Sequence, residues 1–295
     1  MAGNEEVYFL PRDKQESIRL ESQHHLYNDV TNGPIHYSIP RTSLLAIADV
    51  GTGTGIWLQE AKRTLEAGDG SLVKQREYHG FDISAAQFTD KATEDIKLHI
   101  HDVLTPFKSQ YLEHFDLVHV RLFVGAIKVV DYDRAIRNMM ALIKPGGYLQ
   151  WVDYDISSQL RGNARQYPEY GQIIKPFFDN MVQAGLSASA PEELYKAFQR
   201  LNLQHVVKYD YFAHQRDELQ SQITTWSTTG MVTALEVAYL RLGMAKNWAQ
   251  AKCMAAGDKE KIQELHAQGL RTETLFCVIL AQVSDLIDPI TRLND

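Results

Sequence analysis

The stretch that decides the fold is Asp49-Val50-Gly51-Thr52-Gly53-Thr54-Gly55, in which three glycines alternate with threonines. The run before it, Leu44–Val50, is nearly continuously apolar, which is typical of a strand buried on both faces of a parallel sheet. The segment after it, Ile56–Leu65, has a helical pattern. The sequence therefore predicts a buried strand, a tight glycine turn and a helix in succession.

Strand and helix patterns alternate on either side of this stretch. In the first half, strands are predicted at Tyr78–Asp82, Ile96–His101, Phe115–Val120 and Tyr148–Tyr154, and a helix at Tyr132–Ile143 that Lys144–Gly147 stops. In the second half, helices are predicted at Tyr170–Ala184 and Pro191–Leu201, and strands at Gln204–His214 and Leu275–Val283. The alternation indicates an α/β fold of the Rossmann-like, doubly wound type, with a mostly parallel seven-stranded sheet.

We expect one domain over residues 1–295, built in three parts. Residues 1–40 form a helical lid, and residues 41–155 form the core that binds the cofactor. Residues 156–295 complete the sheet and carry a helical cap at about 217–268. Because ligands of open α/β sheets bind beyond the carboxyl ends of the strands, the cap is expected to cover that edge.

Composition excludes several classes of function. The formal net charge of −7, without any Lys/Arg-rich run, argues against binding to a nucleic-acid backbone. No apolar run approaches the ~20 residues that cross a bilayer. The two cysteines, Cys253 and Cys277, argue against a disulfide framework and suit a reducing compartment. With a polar start at Met1–Glu6 that is unlike a secretory signal, the sequence predicts a soluble, cytoplasmic protein.

The spacing of the glycines favours one ligand class over another. A dinucleotide-binding turn has a glycine three residues after the second one, where this chain has Ile56. The spacing D-x-G-x-G-x-G is instead the form associated with S-adenosylmethionine. A nicotinamide oxidoreductase is the alternative that Ile56 weakens, and no Lys-Ser/Thr pair is present to form a phosphate loop.

Two carboxylates at strand ends support the same ligand. Asp82 ends the second strand, where it can accept both ribose hydroxyls, and Asp102 follows the third, near the adenine amino group. Taken alone, each residue is better explained as a helix cap or a solvated carboxylate, and the two together, at consecutive strand ends, favour the cofactor. The cofactor-binding residues predicted from this region are Asp49, Gly51, Thr52, Gly53, Gly55, Asp82, Ile83, Asp102 and Val103.

A second group lies on the predicted lid and after the fourth strand. Arg19, Gln23, His24 and Tyr27 lie at helical spacing and are expected to close over the cofactor, with Arg19 near its carboxylate. Arg121 lies at the correct edge for the methionine moiety. A solvated helix face and a surface salt bridge are the structural alternatives.

The chain resembles the fungal class I methyltransferases that depend on S-adenosyl-L-methionine and act in secondary metabolism. The resemblance is carried by Leu10-Pro11, Asp13, Glu16, Arg19-Leu20, Gln23-His24, Asp49–Trp57, His119, Arg121, Gly125–Lys128 and Lys144–Leu149, and more weakly by Trp226 and the last strand. The resemblance is specific to this family only over the part of the chain before about Tyr154. Overall likeness points further to enzymes that methylate both thiols of a gliotoxin-type diketopiperazine.

This resemblance implies an enzyme that methylates a small metabolite, with S-methylation of diketopiperazine thiols as the first hypothesis. An O- or N-methyltransferase and a cofactor-binding regulatory protein are the alternatives. Asp153 and Tyr154, at the end of the fifth strand, are the candidate bases. Trp226, Phe178 and Met231 are the candidate substrate contacts, although aromatic residues in helices are commonly core. His99 and His101 lack further converging ligands, so no metal is predicted.

Overall fold

The computed structural model describes residues 14–68, 75–88 and 95–284, which form a seven-stranded sheet with helices on both faces. The strands are β1 (Ala46–Val50), β2 (Glu77–Asp82), β3 (Ile96–Ile100), β4 (Phe115–Arg121), β5 (Ile143–Asp155), β6 (Gln204–Phe212) and β7 (Leu275–Gln282). Their order across the sheet is β3-β2-β1-β4-β5-β7-β6, and β7 runs antiparallel to both of its neighbours. The predicted mostly parallel, Rossmann-like α/β fold is confirmed.

Seven α-helices occur within these described ranges. They are α1 (Lys14–Thr31), α2 (Ile56–Gly68), α3 (Tyr132–Leu142), α4 (Pro168–Gln183), α5 (Ala190–Arg200), α6 (Gln220–Arg241) and α7 (Trp248–Ala267). Helices α6 and α7 lie between β6 and β7 in the chain, in the region predicted as a helical cap. Leu10, Pro11 and Asp13 of the N-terminal signature lie outside the described residues. Among the helices described, none is long and apolar enough to cross a membrane.

Apolar side chains cover both faces of the sheet. Trp57 and Leu58 of α2 pack with Ile47 of β1 on one face. Met139 of α3 and Trp151 of β5 belong to the cluster on the other face. All five residues of β1 are buried, which explains why its sequence is an apolar run rather than an alternating one.

The strand after α3 begins earlier than the sequence pattern indicates. Helix α3 ends at Leu142, close to the expected position, but β5 starts at Ile143 instead of Tyr148 and shows an irregular register opposite β4. Gly147 permits this path, because a Cβ there would lie 2.6 Å from Ile143 Cγ2 and 3.1 Å from the Asp116 carbonyl oxygen. The Lys144–Gly147 segment therefore ends the helix and also joins the sheet.

The strand order reverses between β1 and β4. The chain leaves β1 toward β2 on one side and returns to β4 on the other, so the loops after these two strands diverge. Such a reversal opens a crevice at the carboxyl edge of the sheet, which is the usual ligand position in this class of fold.

Candidate functional site

A cavity of about 750 Å³ opens at this carboxyl edge, within the size range of small-molecule sites. One part, which we call the cofactor half, is lined by the glycine loop after β1 and by the ends of β2, β3 and β4. The other part, the acceptor half, is lined by Tyr154, Ile156, Gln159, Phe177, Trp226, Ser227, Gly230, Met231, Thr233 and Ala234, which come from the end of β5, the turn after it, α4 and α6. Helix α1 contributes Arg19 and Gln23 to the same wall.

The glycine loop brings bare backbone to the cavity. The amides of Gly51 and Thr52 both donate to the carbonyl of Phe81, at 2.7 and 3.0 Å, which folds the loop back over β2. Gly51 has a φ of +73°, and a Cβ on it would lie 2.2 Å from Cε1 of Phe123. Glycine is therefore required at position 51 by both conformation and packing. Gly53 also lines the cavity, whereas Gly55 supports the turn without lining it.

The Asp49 carboxylate holds the glycine loop in place through hydrogen bonds. It accepts hydrogen bonds from Thr52 Oγ1 at 2.8 Å and from His119 Nδ1 at 2.7 Å. Burial lowers the pKa of His119, while the hydrogen bond to Asp49 acts in the opposite direction. The ring of Trp57 stacks on His119 with centroids 3.8 Å apart. These contacts tie the end of β1 to β4 and fix the position of the glycine loop.

The two strand-end carboxylates face the cofactor half, as the sequence predicts. Asp82 accepts from the Gly53 amide at 2.9 Å and from the Ser84 amide at 3.1 Å. Asp102 accepts from the Leu104 amide at 2.9 Å. Because backbone amides hold both carboxylates, their orientation is set before any ligand binds. Ile83 and Val103, beside them, also line the cavity.

The guanidinium of Arg121 supplies a positive charge to the wall of the cavity. Both terminal nitrogens of this guanidinium lie 3.2 Å from Nδ1 of His24, and the group lies 5.4 Å from the centroid of the Tyr27 ring. Burial, followed by the charge of Arg121, lowers the pKa of His24 to about 2, so this imidazole is neutral and accepts. Arg121 forms no ion pair with any carboxylate in the described parts of the chain. The charge of Asp49 acts on this guanidinium without forming an ion pair with it, and the arrangement fits an anionic group on a ligand.

Helices α1 and α6 meet over the cavity. Arg19 Nη1 donates to Gln23 Oε1, and the same oxygen accepts from Trp226 Nε1 at 3.2 Å. Gln23 is buried and lines the cavity together with Arg19 and Trp226. Tyr27 lies beneath them, with its ring centroid 4.5 Å from that of Phe276, and does not line the cavity. The predicted lid residues are thus brought together, with Tyr27 as their support.

The acceptor half is mainly apolar and aromatic. Of the predicted substrate contacts, Trp226 and Met231 line it, whereas Phe178 does not, and its neighbour Phe177 takes that place. The two rings are successive residues of α4 and point in different directions around the helix axis, so only one of them faces the cavity. The ring of Tyr154 packs 5.2 Å from that of Trp226.

Polar side chains also line this half, among them Tyr154 and Gln159. The hydroxyl of Tyr154 is buried, and burial raises its pKa, while the side chains of Gln159 and Ser158 act in the opposite direction. Gln159 Oε1 accepts from Tyr170 Oη at 2.6 Å, and Gln159 lines the cavity. No sequence pattern marks Gln159, because it lies in a short turn that only the fold brings beneath α6.

Asp153 points away from the cavity. Its fully buried carboxylate accepts from the Tyr154 amide at 2.9 Å and from Trp151 Nε1 at 3.1 Å. Burial raises its pKa to about 7, and the backbone amides of Phe123 and Val124 act in the opposite direction. The carboxylate therefore anchors the turn after β4. Of the two residues predicted as bases, Tyr154 lines the cavity and Asp153 does not.

Comparison with known proteins places the chain in a family. Residues 38–209 match the family model described as a methyltransferase domain, which covers more than half of the chain. Over 195 residues the chain is 32% identical to methyltransferase grgD of a Penicillium species, covering 65% of this chain and 67% of the relative. It is 33% identical over 190 residues to N-methyltransferase sirN of Leptosphaeria maculans, covering 62% of this chain and 63% of that protein. The chain thus spans about two thirds of the length of these relatives.

A solved structure has the same fold. The phosphoethanolamine N-methyltransferase 2 of Haemonchus contortus, determined in complex with S-adenosyl-L-methionine, aligns with a TM-score of 0.53 and 13% identity. The alignment covers 96% of this chain and 61% of the other, and at this identity it shows the fold alone. The family match confirms the cofactor that the glycine spacing predicts. The chain therefore belongs to the methyltransferase domain family, as a class I protein of the fungal secondary-metabolism type whose cofactor is S-adenosyl-L-methionine.

Proposed function

We propose that this chain is an enzyme that methylates a small apolar metabolite, with the thiols of a diketopiperazine as its acceptor. The observation that carries the proposal is a single cavity whose cofactor half continues into an aromatic acceptor half beneath α4 and α6. Most of the side chains that line both halves are buried or half-buried. A ligand in each half would therefore meet the other inside the protein.

The residues of the cofactor half fit S-adenosyl-L-methionine. We assign Asp82 to the ribose hydroxyls, Asp102 to the adenine amino group and Arg121, with Arg19, to the carboxylate. The bare backbone at Gly51, where a Cβ has no room, permits close approach. When bound, the sulfonium of the cofactor supplies an activated methyl group.

The protein's own contribution is to position the acceptor and to exclude water. Gln23 of α1 and Trp226 of α6 are hydrogen-bonded to each other and close the cavity from above. Tyr154 and Phe276 pack against Trp226 and fix its ring. Holding two reactants in line in this way is worth up to ~7–11 kcal/mol of the barrier.

The chemistry of the acceptor half favours sulfur over oxygen or nitrogen. None of the ten residues that we assign to this half is a carboxylate or a histidine, and the carboxylates and histidines of the cavity, such as Asp131 and His119, line other parts of its wall. Tyr154 is a poor base at neutral pH, because burial raises its pKa and keeps the hydroxyl protonated. A thiol ionises near pKa ~8.5 and needs little help, whereas a phenol ionises near ~10. A thiol is therefore the acceptor that fits this half best, because it does not require a general base from the protein.

The identity of the acceptor atom is tested with matched substrates that offer a thiol, a phenol or a ring amide. We expect the full chain, given S-adenosyl-L-methionine at pH 7, to methylate a diketopiperazine dithiol at least roughly 30-fold faster than a matched phenol, as their ionised fractions differ by that factor. Mass spectrometry of the products measures the ratio. Preferential methylation of the ring amide would show that the acceptor atom is nitrogen and not sulfur. No product with any acceptor, while S-adenosylhomocysteine still binds, would favour a cofactor-binding regulator.

A substitution at Met231, which lines the acceptor half, distinguishes acceptor binding from cofactor binding. We expect Met231→Ala to raise the KM for the acceptor about 10-fold, because a buried methionine side chain contributes ~1.5–3 kcal/mol of apolar contact. The Kd for S-adenosylhomocysteine should stay within about 2-fold of the wild-type value. Met244→Ala is the matched control, since Met244 is 48% exposed and does not line the cavity. Equal losses of acceptor and cofactor affinity in Met231→Ala would remove Met231 from the acceptor half.

A further inference from the structure

Three metal-ligating side chains converge at the amino edge of the sheet. Glu77 begins β2, His79 follows two residues later on the same face of the strand, and His114 lies in the turn just before β4. One ligand atom from each, a carboxylate oxygen and two imidazole nitrogens, all lie within 4.8 Å of one another. Glu77 Oε2 is 3.1 Å from His114 Nε2 and 3.5 Å from His79 Nε2. Tetrahedral ligands at ~2.1 Å from one ion lie about 3.4 Å apart, so these separations match a shared ion.

The buried member of this cluster, His79, reaches the Glu77 carboxylate only at the long distance of 3.5 Å. His79 is 5% exposed, and its Nε2 makes no hydrogen bond within the described residues although it points at the Glu77 carboxylate. A buried polar atom left unpaired costs about 1–3 kcal/mol. An ion between the imidazole and the carboxylate would satisfy both groups at once.

A second layer of contacts orients the His79 ring. Its other nitrogen, Nδ1, lies 3.1 Å from Nε2 of His99, and Nδ1 of His99 lies 3.4 Å from the hydroxyl of Tyr111. Histidines that ligate metals commonly bond through their second nitrogen in this way, which fixes the ring and its tautomer. This contact leaves Nε2 of His79 as the nitrogen that faces the cluster.

The cluster is held in place and open to solvent. The amide of His114 donates to the Leu142 carbonyl at 2.9 Å, and the amide of Glu77 donates to the Leu45 carbonyl at 2.8 Å. The side chains of Glu77 and His114 are 49% and 37% exposed. An ion therefore reaches the cluster without opening the core, and its remaining coordination position stays accessible to water.

We propose that Glu77, His79 and His114 bind one divalent transition-metal ion of the zinc type. Two imidazoles and one carboxylate are a donor set that zinc accepts, with water in the fourth position. The cluster lies about 16 Å along β2 from Asp82, so it is separate from the cofactor half. No local pattern in the sequence brings His114 next to β2, so only His99 and His101 stand out there as possible ligands. A bound ion would fasten β2 to the turn before β4.

Titration of the full chain with zinc chloride tests the proposal. We expect isothermal calorimetry to give one zinc ion per chain, with an affinity at least about 100-fold lower in His114→Ala and in Glu77→Gln. The second variant preserves the size of the side chain and removes its charge. Cobalt(II) should give the intense visible absorption of a tetrahedral site in the wild type and lose it in both variants.

His205→Asn is the matched control for non-specific binding to histidine. His205 is exposed and has a φ of +51°, a conformation that asparagine tolerates, so the backbone is retained. We expect this variant to bind zinc like the wild type. Circular dichroism and S-adenosylhomocysteine binding show that each variant is folded. Absence of stoichiometric zinc binding in the wild type, or equal binding by the folded His114→Ala and His205→Asn variants, would overturn the proposal.

Discussion

Replacing Asp82 by alanine is expected to weaken the binding of S-adenosylhomocysteine by at least about 100-fold. The Asp82 carboxylate faces the cofactor half, and its assigned role is to accept two hydrogen bonds from the ribose. Charge-assisted hydrogen bonds are worth about 1.5–3 kcal/mol each, so the loss of two exceeds a factor of 100 in Kd. The same carboxylate holds the amide of Gly53 at 2.9 Å, so the loop loses an anchor as well. Isothermal calorimetry on the purified chain measures the effect.

Asp179→Ala is the control for this substitution. Asp179 lies on the exposed surface of α4, where it pairs with Lys175 far from the cofactor half. An exposed pair of this kind contributes ~0–1 kcal/mol, so both stability and cofactor affinity should stay close to the wild type. If the folded Asp82→Ala variant bound S-adenosylhomocysteine as tightly as Asp179→Ala does, the assignment of Asp82 to the ribose would be rejected.

Gly51→Ala is expected to lower the free energy of unfolding by about 2–5 kcal/mol and to weaken cofactor binding at least 10-fold. The left-handed backbone at φ +73° costs a residue with a Cβ ~1–2 kcal/mol. The new methyl group would lie 2.2 Å from Phe123 Cε1, and overpacking of this kind costs ~1–3 kcal/mol. Relief of the clash requires the ring of Phe123, which lines the cavity, to move. Urea unfolding and calorimetry measure the two effects.

Gly257→Ala is the matched control, because it introduces the same atom where there is room for it. Gly257 lies inside α7, and a Cβ there meets no heavy atom within 4 Å. Alanine is favoured over glycine in a helix by about 1 kcal/mol, so this variant should be more stable than the wild type and bind the cofactor equally well. Similar stability of the two variants would show that position 51 does not require glycine.

Physical reasoning on the sequence succeeded where local patterns carry the information. The apolar run before Asp49 and the glycine spacing after it identified β1, the turn and the cofactor, since burial on both faces and close backbone approach each restrict residue types directly. Asp82 and Asp102 followed, because the ends of parallel strands share one edge of the sheet. The same logic brought Arg121, the last residue of β4, to the cavity.

Contacts between distant segments required the tertiary structure. The direction of Asp153, whose carboxylate binds backbone amides instead of facing the cavity, depends on the turn at Phe123. Phe177 lines the acceptor half and Phe178 does not, and this depends on the rotation of α4 about its axis.

The sequence by itself thus determined the fold class, the cofactor and most of the residues assigned to it, because these follow from periodicity and from strand ends. Only the tertiary structure decided that Phe177 and Gln159 line the acceptor half and that His114 meets Glu77. His114 is 37 residues from Glu77 in the chain and 3.1 Å from it in space. No local pattern encodes such a meeting, because it results from the packing of β2, β1 and β4 side by side.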